Sequence, residues 1–226
     1  MQEQWLLALM LTAATVGALH TIAPDHWVPF AALARARGWS PLRTARLTFF
    51  CGLGHVTVSA ILGIAALFVG LETVKVFGST LEANASLLLI AFGLAYMVWG
   101  LWRSTRGRIM HGVAHVEGVP HDHGHGHHHQ HQGGGLTSWS LFLLFCADPC
   151  VAVIPMIVAA STRGWHAVGA VVAVYEVATI ATMIAFVLTA HAGARAIRMP
   201  WLDRYGDAIA GAVIVVLGAL VTLLGI

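Results

Sequence analysis

Apolar runs long enough to cross a lipid bilayer recur along the chain and set its organisation. A transmembrane helix needs about 20 predominantly apolar residues. Read on this basis, the sequence predicts six spans, at residues 5–34, 43–70, 82–103, 137–160, 165–192 and 204–226. The composition agrees, because 58% of the 226 residues are hydrophobic and only 10% are charged. We therefore expect an all-α, multi-pass integral membrane protein that is surrounded by the lipid bilayer.

The basic residues between the spans predict the orientation of the chain. Ten of the twelve Lys and Arg residues lie in or beside the first, third and fifth connections, whereas only Lys75 and Arg163 lie in the second and fourth. Cytoplasmic loops retain Lys and Arg, so the odd-numbered connections should face the cytoplasm. Both termini then lie outside the cytoplasmic (inner) membrane. The pI of 8.6 reflects these loop arginines, and no nucleic-acid partner is expected.

A weak internal repeat appears when the chain is shifted by 126 positions. The shift places His20 on Cys146, Pro29 on Pro155, and residues 37–39 on residues 163–165, both of which read Arg-Gly-Trp. The first and fourth spans should cross the membrane in opposite directions. This pattern predicts two inverted three-helix repeats, 1–103 and 137–226, joined by a loop at 104–136. Transporters are often built in this way, with a site between the repeats, although chance similarity of two apolar spans is the alternative.

The first span contains GALHTIAPDHWVPF, which places polar and ionisable residues at membrane depth. Pro24 and Pro29 each remove an amide donor and disturb the carbonyl four residues earlier, so a helix break near Pro24 is predicted. Such a break would let His20, Asp25 and His26 converge. Ionisable groups inside a membrane are costly and count as functional candidates, although a packed polar network that binds nothing is the alternative.

The second span adds a third histidine at the same predicted depth. His55 follows Arg46 by nine residues, and His26 precedes Arg35 by nine. Glycines beside His55 would permit close approach of the helices. The sequence therefore predicts an intramembrane metal site made by His20, Asp25, His26 and His55. Imidazole and carboxylate ligands suit borderline divalent ions, and we expect Ni²⁺ or Co²⁺, with Zn²⁺ as a further candidate.

The second half contains FCADPCVAVIP at 145–155 and a deep carboxylate, Glu176. Asp148 and Pro149 should interrupt the fourth span. Cys146 and Cys150, four residues apart, are candidates for metal ligation, thiol exchange or simple packing. Asp148 and Glu176 are further candidates for metal binding or proton coupling, and a structural hydrogen bond is the alternative for Glu176.

The loop at 104–136 is rich in histidine, glycine and glutamine. It is predicted to be cytoplasmic and disordered, because it contains too few apolar residues to form a core. Neutral imidazoles there should bind several metal ions loosely and could buffer or feed the cytoplasmic entrance. A cytoplasmic metallochaperone is a candidate partner. The nine loop histidines are His111, His115, His121, His123, His125, His127, His128, His129 and His131.

Several of these features together resemble the nickel/cobalt permeases and, in the six-span layout, the nickel/cobalt efflux permeases. They are H-x4-D-H at residues 20–26, the LGH-x-T-V segment around His55, the histidine-rich loop, and Pro149-Cys150. In the uptake branch H-x4-D-H is required for transport, which by resemblance assigns His20, Asp25 and His26 to the metal path. Uptake permeases usually have eight spans and lack the loop, whereas efflux permeases often lack the aspartate. The superfamily also resembles membrane thiol-disulfide electron carriers.

The function predicted from the sequence is transmembrane transport of a divalent transition-metal ion of the nickel/cobalt type. The protein is not expected to be an enzyme or to hold a permanent cofactor. No G-x4-G-K-[ST] segment is present, so an ion gradient or the membrane potential should drive the movement. Import and export both fit this pattern, and so does any oligomeric state. The alternatives are an electron carrier that uses Cys146 and Cys150, and a metal sensor or assembly factor that transports nothing.

Overall fold

The structure, a computed structural model, describes residues 2–116, 134–196 and 199–224. These residues form eight α-helices and two short 3₁₀ turns, at Pro24–His26 and Val151–Val153. The all-helical prediction is confirmed for this part of the chain. The helices are α1 Gln2–His20, α2 Val28–Ala36, α3 Pro41–Val69, α4 Leu71–Val116, α5 Gly134–Ala147, α6 Ile154–Ser161, α7 Trp165–Ala196 and α8 Pro200–Leu224.

Four of the helices are long and apolar enough to cross a membrane by themselves: α3, the 84–105 part of α4, α7 and the 204–223 part of α8. Two further candidates are bent pairs. The first pair, α1 with α2, turns by 80°, and the second pair, α5 with α6, turns by 43°. The chain therefore has four candidate membrane-spanning helices, or six if each bent pair forms one span.

The bend in the first pair follows from its two prolines. Pro24 begins the 3₁₀ turn and Pro29 lies in the first turn of α2, positions where a missing amide donor is tolerated. Before the turn, the amide of Ala23 donates to the carbonyl oxygen of His20 at 3.1 Å. This bond joins residues three apart in sequence, whereas an α-helix joins residues four apart. The predicted break near Pro24 is confirmed.

The order of elements around the first bend recurs around the second. In both pairs a 3₁₀ turn leads into a short helix with proline at its second position, and these helices begin at Val28 and Ile154. Both short helices are followed by a glycine with positive φ, Gly38 at 60° and Gly164 at 91°. The short helices and the glycines match at the same 126 positions as the sequence repeat, and the two 3₁₀ turns match within one residue of it. The opposite orientation of the two halves in the membrane stays a prediction.

The two halves interlock through the bent pairs. Helix α1 packs on α7, and α3 packs on both α5 and α6. The approach of α1 to α7 depends on Gly17, where an added Cβ would lie 2.8 Å from Thr179 Oγ1 and 3.1 Å from the Tyr175 carbonyl oxygen. Each bent pair is therefore packed against the long helix that follows the other pair.

Helices α4 and α8 meet backbone to backbone. A Cβ on Gly93 of α4 would lie 2.8 Å from the amide nitrogen of Val215, and one on Gly100 would lie 2.5 Å from that of Ala208. The pair is also joined by polar contacts: Asp207 accepts hydrogen bonds from Tyr96 at 2.6 Å and from Arg103 at 2.8 Å. This close contact makes α4 and α8 a single packed unit beside the bent pairs.

Helix α4 is longer than the third predicted span. It continues to Val116, so residues 104–116, which were predicted to open the disordered loop, are helical, and α5 already begins at Gly134. Hydropathy locates the part of a helix that lies in lipid but not the point where the helix ends. Within this continuous helix the hydroxyls of Ser104 and Thr105 donate to the carbonyl oxygen of Leu101. The backbone of His111 and His115 lies in α4, and the other seven loop histidines lie outside the described residues.

Candidate metal centre

Three histidine rings meet at the first helix break. His20 is the last residue of α1, His26 lies in the 3₁₀ turn, and His55 lies in the middle of α3. The ring centroids of His20 and His26 are 4.5 Å apart, and those of His26 and His55 are 5.3 Å apart, with the rings nearly perpendicular in both pairs. The predicted approach of His20 to His26 at the break, and of His26 to His55 across the helices, is therefore confirmed.

Asp25 is joined to this group through His26. Its Oδ1 lies 3.0 Å from Nδ1 of His26, and the His26 side chain is buried. With its proton on Nδ1, the ring donates to the carboxylate and leaves the lone pair of Nε2 free. A carboxylate that accepts from the far nitrogen of a metal-binding histidine fixes the orientation of the ring and makes it a stronger ligand.

His55 is oriented in a similar way by the second half of the chain. Its Nδ1 lies 3.2 Å from the carbonyl oxygen of Phe145 in α5, so this nitrogen is placed to donate. The Nε2 atoms of His20, His26 and His55 are all buried and have no hydrogen-bond partner among the described residues. Buried polar atoms are nearly always paired, so three unpaired nitrogens in one group fit a centre that binds a cation.

Cys150 brings a sulfur atom from the second helix break to the same place. Its Sγ, one ring nitrogen of His20 and one of His55 all lie within 4.8 Å of one another. The sulfur also lies 2.7 Å from the hydroxyl oxygen of Tyr175 on α7. The two breaks therefore face each other across this group.

Ser59 ties the backbone of the second break to α3. Its hydroxyl donates to the carbonyl oxygen of His55 at 2.8 Å and accepts from the amide of Cys150 at 2.6 Å. The Ser59 side chain is fully buried. One hydroxyl thus connects the backbone at His55 with the backbone at Cys150, which holds the two halves together at this point.

A cavity of about 580 Å³ opens beside these side chains. It is lined by His20, Asp25, His26, His55 and Cys150, together with Asp148 from the second break. Ala85, Leu89 and Thr222 of the α4–α8 unit complete part of the wall. The centre is therefore reached through a space that both halves and the packed helix pair enclose.

Two of the residues singled out in the sequence lie elsewhere. Cys146 does not line the cavity; its Sγ would be 2.6 Å from a Cβ placed on Gly54, so it packs where α5 approaches α3. Glu176 does not line the cavity either, although its Oε1 is buried without a hydrogen-bond partner among the described residues. Its neighbour Tyr175 is directed at Cys150, and adjacent positions on a helix point about 100° apart. The structure does not bring Glu176 to the group.

The sequence reasoning missed Ser59 and Tyr175. Ser59 lies one helical turn after His55, so it shares a helix face with a candidate ligand, and that spacing could have identified it. Tyr175 carried no comparable signal, because its contact with Cys150 depends on how α7 is rotated against the second break.

Comparisons of the chain with protein-family models, with curated proteins and with solved structures return no match. The similarity to nickel/cobalt permeases therefore stays a prediction that rests on the sequence motifs. The geometry by itself supports a narrower statement: among the described residues, which form helices and turns, three imidazoles, two carboxylates and a thiol border one cavity, and several helices are apolar and of membrane-spanning length.

Proposed function

We propose that this protein carries a divalent transition-metal ion of the nickel/cobalt type across a membrane. The observation that carries the proposal is the set of three imidazoles that border one cavity at a helix break: His26 and His55 are buried, His20 is half-buried, and the Nε2 atom of each is buried without a hydrogen-bond partner among the described residues. Broken helices that face each other at a polar cavity are the usual construction of a substrate site in secondary transporters.

The charge of the centre suits a divalent cation. Neutral imidazoles supply lone pairs without charge, and Asp25 supplies one negative charge through its contact with His26. In surroundings of low dielectric constant, a carboxylate close to a divalent ion offsets much of the cost of removing that ion from water. Hard ions such as Mg²⁺ and Ca²⁺ prefer oxygen ligands, so the imidazoles favour a borderline ion.

The proposal includes six spans, with each bent pair counted as one, in two inverted repeats that alternate access to the cavity. Both termini lie outside and the histidine-rich loop lies in the cytoplasm, where it concentrates metal near the entrance. A gradient or the membrane potential drives the ion. The placement of Cys150 beside imidazoles, while Cys146 packs elsewhere, favours metal binding over thiol exchange between these two cysteines.

The test is uptake of Ni²⁺, Co²⁺, Zn²⁺ and Mn²⁺ into proteoliposomes that contain the full-length protein. We compare wild type with His55→Asn and use His166→Asn as the matched control, because His166 is exposed at the start of α7. Loss of a buried ligand should lower flux about 100-fold, whereas the control should match wild type. Absence of flux of all four ions in a folded wild-type protein, or wild-type flux in His55→Asn, would overturn the proposal.

A further inference from the structure

The second helix break contributes a candidate ligand that the histidine motif does not include. Cys150 is 3% exposed, and its Sγ lies within 4.8 Å of one ring nitrogen each of His20 and His55. These two imidazoles come from the first half of the chain, whereas the sulfur comes from the second. An ion bound between them would therefore be held by both halves at once.

We propose that Cys150 Sγ is a direct ligand of the transported ion and that, among divalent transition-metal ions, it shifts the preference from Ni²⁺ and Co²⁺ to the more thiophilic Zn²⁺. This inference rests on the proposed function. Zn²⁺ binds nitrogen at about 2.1 Å and sulfur at about 2.3 Å, so small side-chain rotations bring the three atoms to bonding distance. When the metal–sulfur bond forms, the thiol proton is released to the surrounding water.

The local structure holds the sulfur in place for this role. The amide of Cys150 donates to Ser59 Oγ, which fixes the backbone against α3, and the Tyr175 hydroxyl lies 2.7 Å from the sulfur. A hydroxyl that donates to a thiolate stabilises its charge. Tyr175 is fully buried, so its hydroxyl is directed at the sulfur rather than at solvent. Ser59 and Tyr175 are thus positioning residues for the ligand.

The donor set, rather than the size of the cavity, decides which ions fit. Thiolate ligands favour Zn²⁺ and Cu⁺, and imidazole suits Zn²⁺, copper, iron and nickel. Zn²⁺ is the divalent ion common to both groups. A site with imidazole and carboxylate only would rank Ni²⁺ at least as high, because affinity for nitrogen ligands rises from Mn²⁺ to Cu²⁺. The sulfur therefore shifts the expected preference from nickel and cobalt toward zinc and its heavier analogue Cd²⁺.

The test uses Co²⁺ as a spectroscopic probe bound to the full-length protein. A cobalt–thiolate bond gives charge-transfer absorption that the imidazoles of the loop cannot produce. We compare wild type with Cys150→Ser and with Cys146→Ser, a matched control four residues away that lies outside the cavity. The band should appear in wild type, persist in Cys146→Ser and vanish in Cys150→Ser. Cys150→Ser should also weaken Cd²⁺ binding about tenfold or more, with a smaller change for Ni²⁺.

Several results would overturn the inference. Persistence of the band in Cys150→Ser would exclude Cys150 as the ligand, and so would bound Co²⁺ without the band in a variant whose nine loop histidines are replaced by asparagine; continued flux would then leave the proposed function standing. A band without flux of any ion would support the ligand and refute transport.

A measurement without a cysteine substitution covers the case in which Cys150→Ser does not fold. Zinc X-ray absorption is recorded on a full-length variant with the nine loop histidines replaced by asparagine. A sulfur shell at about 2.3 Å is expected, and a shell of nitrogen and oxygen alone would overturn the inference.

Discussion

The two bent helix pairs share a backbone plan but carry different chemistry. Both have a 3₁₀ turn that leads into a short helix with proline at its second position. The first turn, Pro24–His26, presents a carboxylate and an imidazole, whereas the second, Val151–Val153, is apolar. The first pair also turns more sharply, by 80° against 43°. The repeated backbone plan places both breaks at one cavity. The side chains then differ, because the polar groups of a 3₁₀ turn come from the first break alone.

The difference shows that the repeat predicts where the helices break but not which of its positions border the cavity. Under the shift of 126 positions, His20 corresponds to Cys146, which packs against α3 outside the cavity. The sulfur that does border the cavity, that of Cys150, corresponds to Pro24. The first half thus places the residue before its break, His20, at the cavity, whereas the second half places there the residue that corresponds to Pro24.

The largest effect should come from neutralising the carboxylate of the first break. Asp25→Asn keeps an oxygen that can accept from His26 but removes the negative charge, so metal flux should fall to background with little loss of folded protein. Asp148→Asn, at the second break, should cost much less. Flux is measured in proteoliposomes. Wild-type flux in Asp25→Asn would refute the role of this residue.

The same substitution can also be combined with a change at its partner. Asp25 and His26 are in contact, so their effects on flux should not add. Asp25→Asn with His26→Ala should therefore be no worse than the more severe single variant. Full additivity would mean that the two side chains act on separate steps.

An intermediate effect is expected where the two breaks are tied together. Ser59→Ala leaves the buried amide of Cys150 without its acceptor, which should lower the free energy of unfolding by about 1–3 kcal/mol. Flux should fall about tenfold as the position of Cys150 loosens. Ser104→Ala is the control, because that hydroxyl bonds only within its own turn, to Leu101. Equal melting temperatures for the two variants would contradict a structural role for the Ser59 contact.

The smallest effect on flux should come from the histidine-rich segment. Replacing its nine histidines by asparagine should lower the number of metal ions bound per protein but leave saturated flux close to wild type, because the centre lies in the membrane helices. Equilibrium dialysis and proteoliposome flux measure the two quantities. If flux were lost in a folded variant, the segment would have to be part of the ion path.

Much of the fold and part of the centre follow from local features of the sequence. The apolar runs marked the helices, and the prolines marked both breaks, because the loss of an amide donor acts on the residues next to it. Counting residues from Arg35 and Arg46 placed His26 and His55 at one depth, since each residue of a helix rises by about 1.5 Å. The rings of these histidines do meet.

The remaining features depend on how each helix is rotated about its axis. A helix that is apolar all round, such as most of α7, gives no sign of which face meets its neighbours. For this reason the sequence suggested Glu176 for the centre, whereas the structure directs the adjacent Tyr175 to Cys150. The extension of α4 to Val116 was missed because hydropathy does not mark helix ends in water.

The glycine contacts between α4 and α8 provide a fixed reference for measuring motion. Backbones this close cannot slide or roll past each other without collision, as the positions of Gly93 and Gly100 require. Distances between spin labels placed on the lipid-facing sides of these two helices should therefore stay constant through the proposed transport cycle. Distances from the same pair to labels on α2 or α6, measured with and without metal, then test which bent pair moves in the proposed cycle.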